Sequence, residues 1–138
     1  MITRYNAKDC SIMVGGTDSI PKTYITGLGE DMVTGSKDED FYEASVGAQG
    51  DIIACEVNNT LGEITVTVQP TSPQKQFLMN LAGINEFFPV WVVNKSLGER
   101  FGGTMAKVKS FPEMSRGATA EDMEFVFGIF DYTVDGNV

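Results

Sequence analysis

The amino-acid sequence predicts a mainly β fold with one short α-helix at about residues 73–82. Two observations carry that expectation. In "GEITVTVQ", Ile64, Val66 and Val68 alternate with Glu63, Thr65, Thr67 and Gln69, the period of two of a strand with one dry and one wet face. In "SPQKQFLMNL" the period then lengthens, so that Phe77, Leu78 and Leu81 share one helical face while Gln74, Lys75 and Asn80 point elsewhere. Short β-rich runs punctuated by glycine and asparagine fill most of the remaining chain.

Taken in order, "CSIMVGGTDSI" reads as a strand entering a turn at Gly15 and Gly16, and "KTYITGLG" as the strand that returns from it. The stretch 30–43, "EDMVTGSKDEDFYE", is acidic, has a single lysine and shows little periodicity, which predicts a long acidic loop. "GDIIACEVNNTLGEITVTVQ" reads as a hairpin whose turn is "NNTLG". In its first run Ile53, Cys55 and Val57 fall on one face, and Glu56 and Asn58 fall on the other with Ile52 and Ala54. Pro70 and Pro73 end the second run, because proline cannot donate to a sheet ladder. Ser72 followed by Pro73 predicts a helix cap, and Gly83 a helix stop. Strands are then expected at 87–94, 103–110 and 122–134. The last is apolar on both faces, with Met123, Phe125, Phe127 and Ile129 on one and Val126, Phe130 and Tyr132 on the other, so it needs cover on both sides.

At 138 residues the chain is expected to form a single domain over 1–138, and 42% hydrophobic with 21% charged residues is a globular composition. Nineteen acids against 10 bases give a net charge of −9, which repels phosphate backbones and disfavours tight nucleic-acid binding. Such a wall would nevertheless suit a surface that DNA must pass without sticking. Cys10 and Cys55 lack metal-site spacing and make no disulfide framework, so a reducing cytoplasm is the expected home. The N-terminal run has no signal-peptide pattern, and "FFPVWVV" is far shorter than the roughly 20 residues a bilayer needs.

Chemistry is excluded residue by residue. There is no histidine, which removes the commonest general base and metal ligand and every Ser/His/Asp or Cys/His arrangement. The acids of 38–43 miss the calcium-loop order, since Tyr42 and Glu43 stand where a ligand and the glycine belong. The glycine pairs lack the lysine of a phosphate loop. Trp91, Phe87 and Phe88 read as core rather than as a ligand pocket, and Lys107 and Lys109 as a strand face able to meet the acidic loop of a neighbour. No catalytic, cofactor-binding or metal-binding residue is assigned.

The run 47–82, the following "FPVWVVNK" and the end "DMEFVFGIFDYTV" together resemble tail tube proteins of contractile-tailed bacteriophages. That resemblance implies a β-sandwich or barrel of antiparallel strands, forming homo-hexameric rings that stack into a hollow tube inside a contractile sheath and conduct DNA at infection. It implies as partners further copies of the chain, the tail sheath, tape-measure, baseplate and terminator proteins, and DNA only in passage, with no membrane. The location would be the virion tail, assembled in the host cytoplasm. Glu56, Asn58, Glu63, Thr65, Thr67 and Gln69 would face the bore, with no basic residue there to trap phosphate. Asp31, Lys37, Asp38, Glu39, Asp40, Phe41 and Glu43 would reach the next ring, and Met123, Phe125, Phe127, Phe130 and Tyr132 would meet a neighbouring subunit. A tail-terminator or head-completion ring protein, or the tube of a phage-derived bacteriocin or secretion particle, would share these features.

Overall fold

The computed structural model describes residues 4–136, so the outermost residues of the expected 1–138 domain lie outside the described residues. The strands are β1 (Cys10–Val14), β2 (Thr23–Tyr24), β3 (Leu28–Lys37), β4 (Tyr42–Val46), β5 (Ile52–Glu56), β6 (Gly62–Val68), β7 (Phe88–Asn94), β8 (Glu99–Val108), β9 (Met123–Ile129) and β10 (Thr133–Asp135); the helix α1 spans Lys75–Leu81. The main sheet runs β2-β1-β7-β8-β9-β6-β3, with β10 added beside β8, and β4 and β5 form a separate two-stranded sheet. Every pairing between these strands is antiparallel. A mainly β sandwich with one short helix is therefore what the sequence specifies.

The sheet curls because one piece of chain serves both its margins. β2 and β3 are the two ends of the strand order, yet only Ile25, Thr26 and Gly27 separate them. The Ile25 amide donates to the Ile12 carbonyl at 3.0 Å, and the Gln69 amide to the Gly27 carbonyl at 2.7 Å, so the bridge is stitched to both sides. Gly27 turns the chain with φ of 66° close against Ser72, a position that excludes a side chain. The apolar faces then close on one core. Ile64 stands opposite Phe127, Val66 opposite Phe125 and Val68 opposite Met123, all of them fully buried. Phe88 meets Phe127 edge-on at 6.1 Å, and Leu78 and Leu81 of α1 are buried in the same cluster. Each large side chain so placed contributes about 1.5–3 kcal/mol. A helix as short as α1 is marginal alone, and this packing is what holds it.

The first hairpin forms as expected, with Met13 opposite Tyr24. Four other expectations are corrected. The stretch 30–43 is not a long loop: β3 runs through it to Lys37 and pairs with β6, and β4 begins at Tyr42. A bulge between Leu28 and Val33, with Met32 at φ 49°, shifts the alternation and hides the strand's period. The 51–69 hairpin does not form either, because β5 pairs with β4 and β6 with β3 and β9. The chain turns instead at Gly47–Asp51, closed by the Gly47 amide on the Asp51 carbonyl at 2.8 Å with Gly50 at φ 90°. In the "NNTLG" segment, Asn59 instead accepts the Leu61 amide, and the Asp38 and Tyr132 amides donate to the Leu61 and Thr60 carbonyls.

The helix begins at Lys75, later than expected, and Ser72 does not cap it. The buried Ser72 hydroxyl donates to the Thr26 carbonyl at 2.6 Å, and the Gln74 side-chain oxygen accepts from the Thr26 amide and hydroxyl. These polar groups tie α1 to the bridge between β2 and β3, and Gly83 stops the helix at φ 84°. Finally, 122–134 is two strands. At the break the Asp131 carboxylate accepts the amides of Thr104 and Met105 and the Thr104 hydroxyl, taking over where β8 passes from β10 to β9.

Candidate assembly surface

The turn Asp38–Asp40 delivers the chain from β3 into the β4–β5 ribbon, where every residue from Glu39 to Glu56 is exposed. Phe41 is 76% exposed, Ile52 71% and Val46 66%, values otherwise unusual for such side chains. The Lys37 ammonium lies 4.7 Å from the centre of the Phe41 ring and donates to the Glu39 carbonyl, and Asn59 donates to the Glu39 carboxylate at 3.1 Å. These contacts fix the root of the ribbon. Beyond it, β4 and β5 bond only to each other among the described strands.

The expected inter-ring residues follow this path. Asp31 is exposed on β3, Lys37 ends that strand, Asp38, Glu39 and Asp40 make the turn, Phe41 opens the ribbon, and Glu43 stands opposite Cys55 within it. The expected bore residues do not share one surface. Glu56 lies on the ribbon, Asn58 in the segment after it, and Gln69 beyond the end of β6. Thr67 is buried against Gly29. Only Glu63 and Thr65 remain on the partly open outer face of β6, next to Glu124 and Val126 of β9.

That outer face also carries basic residues, which corrects the expectation of a lining without them. Lys109 forms an ion pair with Glu63, and its ammonium is held above its ordinary value chiefly by that hydrogen bond. Lys107 donates to the Asn85 side chain at 3.2 Å and sits over the Phe87 ring. The sequence could not show that β8 would run two strands away from β6 and bring Lys109 across to it.

The inter-subunit expectation is corrected in part. Met123, Phe125 and Phe127 are fully buried in the chain's own core, so a neighbour cannot reach them. They occupy the inward side of β9, and alternation puts all of them there together. Phe130 is 38% exposed and stacks edge-on with Phe87 at 5.1 Å. Tyr132 is half-buried against Gly62 and Gly35, and that burial raises its phenol pKa. Sequence reasoning missed Tyr42, Ala44 and Val46 as strand residues. The signal available was the glycine pair of "GAQGD" centred between two β-rich runs.

Among the described residues no group of three or more histidine, cysteine or carboxylate side chains could hold a metal, and no helix is long and apolar enough to cross a membrane. Burial, with a smaller contribution from Glu99, raises the Cys10 thiol.

A curled antiparallel sheet with an outstretched, exposed apolar ribbon defines the fold class of the described residues. The chain matches the family model described as Bacteriophage PhiTE tail tube protein over residues 4–97, and it belongs to that family. Among solved structures it is similar to a chain of the extended sheath-tube complex of PVC, an extracellular contractile injection system, at TM-score 0.61 and 13% identity, covering 96% of this chain and 92% of that one. It is similar as well to a chain of the sheath/tube terminator of that system, at TM-score 0.59 and 12% identity over 98% and 99% of the two chains. The tube-terminating cap of the anti-feeding prophage is similar at TM-score 0.59 and 9% identity over 99% and 93%. At these identities the likeness is one of fold. No curated protein matches the chain.

Proposed function

We propose that this chain is the tube subunit of a contractile tail, assembling as stacked hexameric rings around a bore that conducts DNA inside a sheath. Its further partners are the sheath, tape-measure, baseplate and terminator proteins, and its place is the particle's tail, built in the host cytoplasm. The carrying observation is that a member of a tail tube family keeps an entire two-stranded ribbon exposed. An exposed ribbon with open edges is an aggregation hazard in a protein that stays single, and a joint in one that polymerises. Glu63, Thr65 and Glu124 on the outer face of β6 and β9 are the proposed bore lining. On that face Glu63 and Glu124 offset Lys109 and Lys107, and the chain charge of −9 supplies the repulsion for phosphate.

The near-equal likeness to a tube terminator favours a second reading, a single ring that ends a tube. Negative-stain microscopy of the purified chain separates the two. Long hollow rods are the expected result, whereas single rings that never stack would replace the tube reading with the terminator.

A further inference from the structure

The registers of β2, β1, β7 and β8 lay one row of side chains across the outer side of the sheet. Met13 on β1 stands opposite Tyr24 on one side and Trp91 on the other, and Trp91 stands opposite Gly102. The alternating neighbours Ile12, Val14, Val90 and Val92 are buried, so the row points away from the core. No larger residue fits at Gly102, whose φ is 141° and whose side chain would strike the Val90 carbonyl. The far flank of the indole is therefore bare.

Each ring of the row carries a cation. The Lys22 ammonium lies 5.7 Å from the centre of the Tyr24 ring, and the Arg100 guanidinium 4.7 Å from that of Trp91. Both cations are exposed. Asp135 stands opposite Arg100 on β10 and offsets one charge, which leaves the row cationic on a chain of net charge −9.

We infer that this face docks an acidic segment of a different protein, with its carboxylates on Lys22 and Arg100 and its apolar side chains on Tyr24, Met13 and Trp91. The rings hold both cations in place before a partner arrives, so little side-chain freedom remains to be lost on binding. A methionine between two rings lets the surface adapt to what it meets. Charge selects the occupant. Nucleic acid is disfavoured, because two cations release few counterions and the acidic chain repels the remaining phosphates. A short acidic segment needs only the two. Contact between copies is served by the ribbon in the tube reading, which leaves this face to another chain, and the inference goes beyond that reading.

The probe is a synthetic peptide of glutamate and leucine, titrated into the full chain by calorimetry and by the emission of Trp91, the single tryptophan. The acidic peptide should bind and shift that emission, and a counterpart of lysine and leucine should do neither. Lys22→Gln and Arg100→Gln should each weaken binding about fivefold, roughly 1 kcal/mol. Both should keep the wild-type circular dichroism spectrum and melting temperature, since these side chains are exposed. Lys75→Gln, the same charge change placed on α1, should leave binding unchanged. Should Arg100→Gln unfold the chain, Lys22→Gln and Tyr24→Ser are read in its place. Absence of binding, an equal loss in Lys75→Gln, or an oligothymidylate that binds as tightly and shifts Trp91 as far overturns the proposal. Loss of rods in Lys22→Gln and Arg100→Gln overturns it too, by giving the face to a second copy. A wild type that binds the peptide but never builds rods or rings would instead remove the tube reading and leave this contact standing.

Discussion

Phe127→Ala separates a core strand from an interface strand. The ring is fully buried, stands opposite Ile64 in the ladder with β6, and packs edge-on against Phe88 at 6.1 Å. Removing it should cost about 3–5 kcal/mol from lost transfer energy and the cavity left behind. Part of that is the aromatic pair itself, about 0.5–1.5 kcal/mol. Against a total stability of about 5–15 kcal/mol, the substitution removes about a fifth of it at the least and nearly all of it at the most. Urea unfolding, followed by fluorescence at a concentration low enough to keep the chain single, is the assay. With a slope of about 2 kcal/mol per molar, the midpoint should fall by roughly 2 M. An unchanged midpoint combined with lost assembly would refute the reasoning and return β9 to the subunit interface.

The Asp131 clamp predicts an acid limb. Burial pushes its carboxyl up, but the hydrogen bonds from the Thr104 hydroxyl and the Met105 and Thr104 amides outweigh this and leave it below its ordinary value. A folded pKa below the unfolded one means that the stabilisation is present above the unfolded value, near pH 4, and is lost as pH falls through the folded value. Asp131→Ala should therefore destabilise by about 1–2 kcal/mol at pH 7 and flatten the stability profile below pH 4, measured by melts across pH; an equally steep acid limb in the variant would assign it to other carboxylates. The exposed turn Gly47–Asp51 should be cut by limited proteolysis in the single chain and protected in rods, and equal cleavage in both would take the ribbon out of the contacts between copies.

What could be read in advance divides by the range of the interaction. "EITVTV" announced β6 and its buried face, "QFLMNL" announced the helix and its buried leucines, and Gly83 announced its end. Each is a local signal, in which side-chain periodicity and backbone freedom act within a few residues. The same alternation placed Met123, Phe125 and Phe127 on one side of β9, but not whether their cover was the chain's own core or a neighbour. That required knowing that Ile64, Val66 and Val68 lie across from them.

Amino-acid order by itself determined the β class, the single helix, the absence of histidine chemistry and the acidic surface, because these follow from composition and short-range pattern. Tertiary structure decided the pairing. Either hairpin, 42–56 or 51–69, satisfied local turn chemistry, and the choice fell to the partners that β6 could reach. β9 and the bulged β3 cover both its edges, so β5 is left to β4 and the two extend together as a ribbon. The Lys109–Glu63 pair and the Asp131 clamp arise in the same way, from strands distant in the chain that the curled sheet sets near one another.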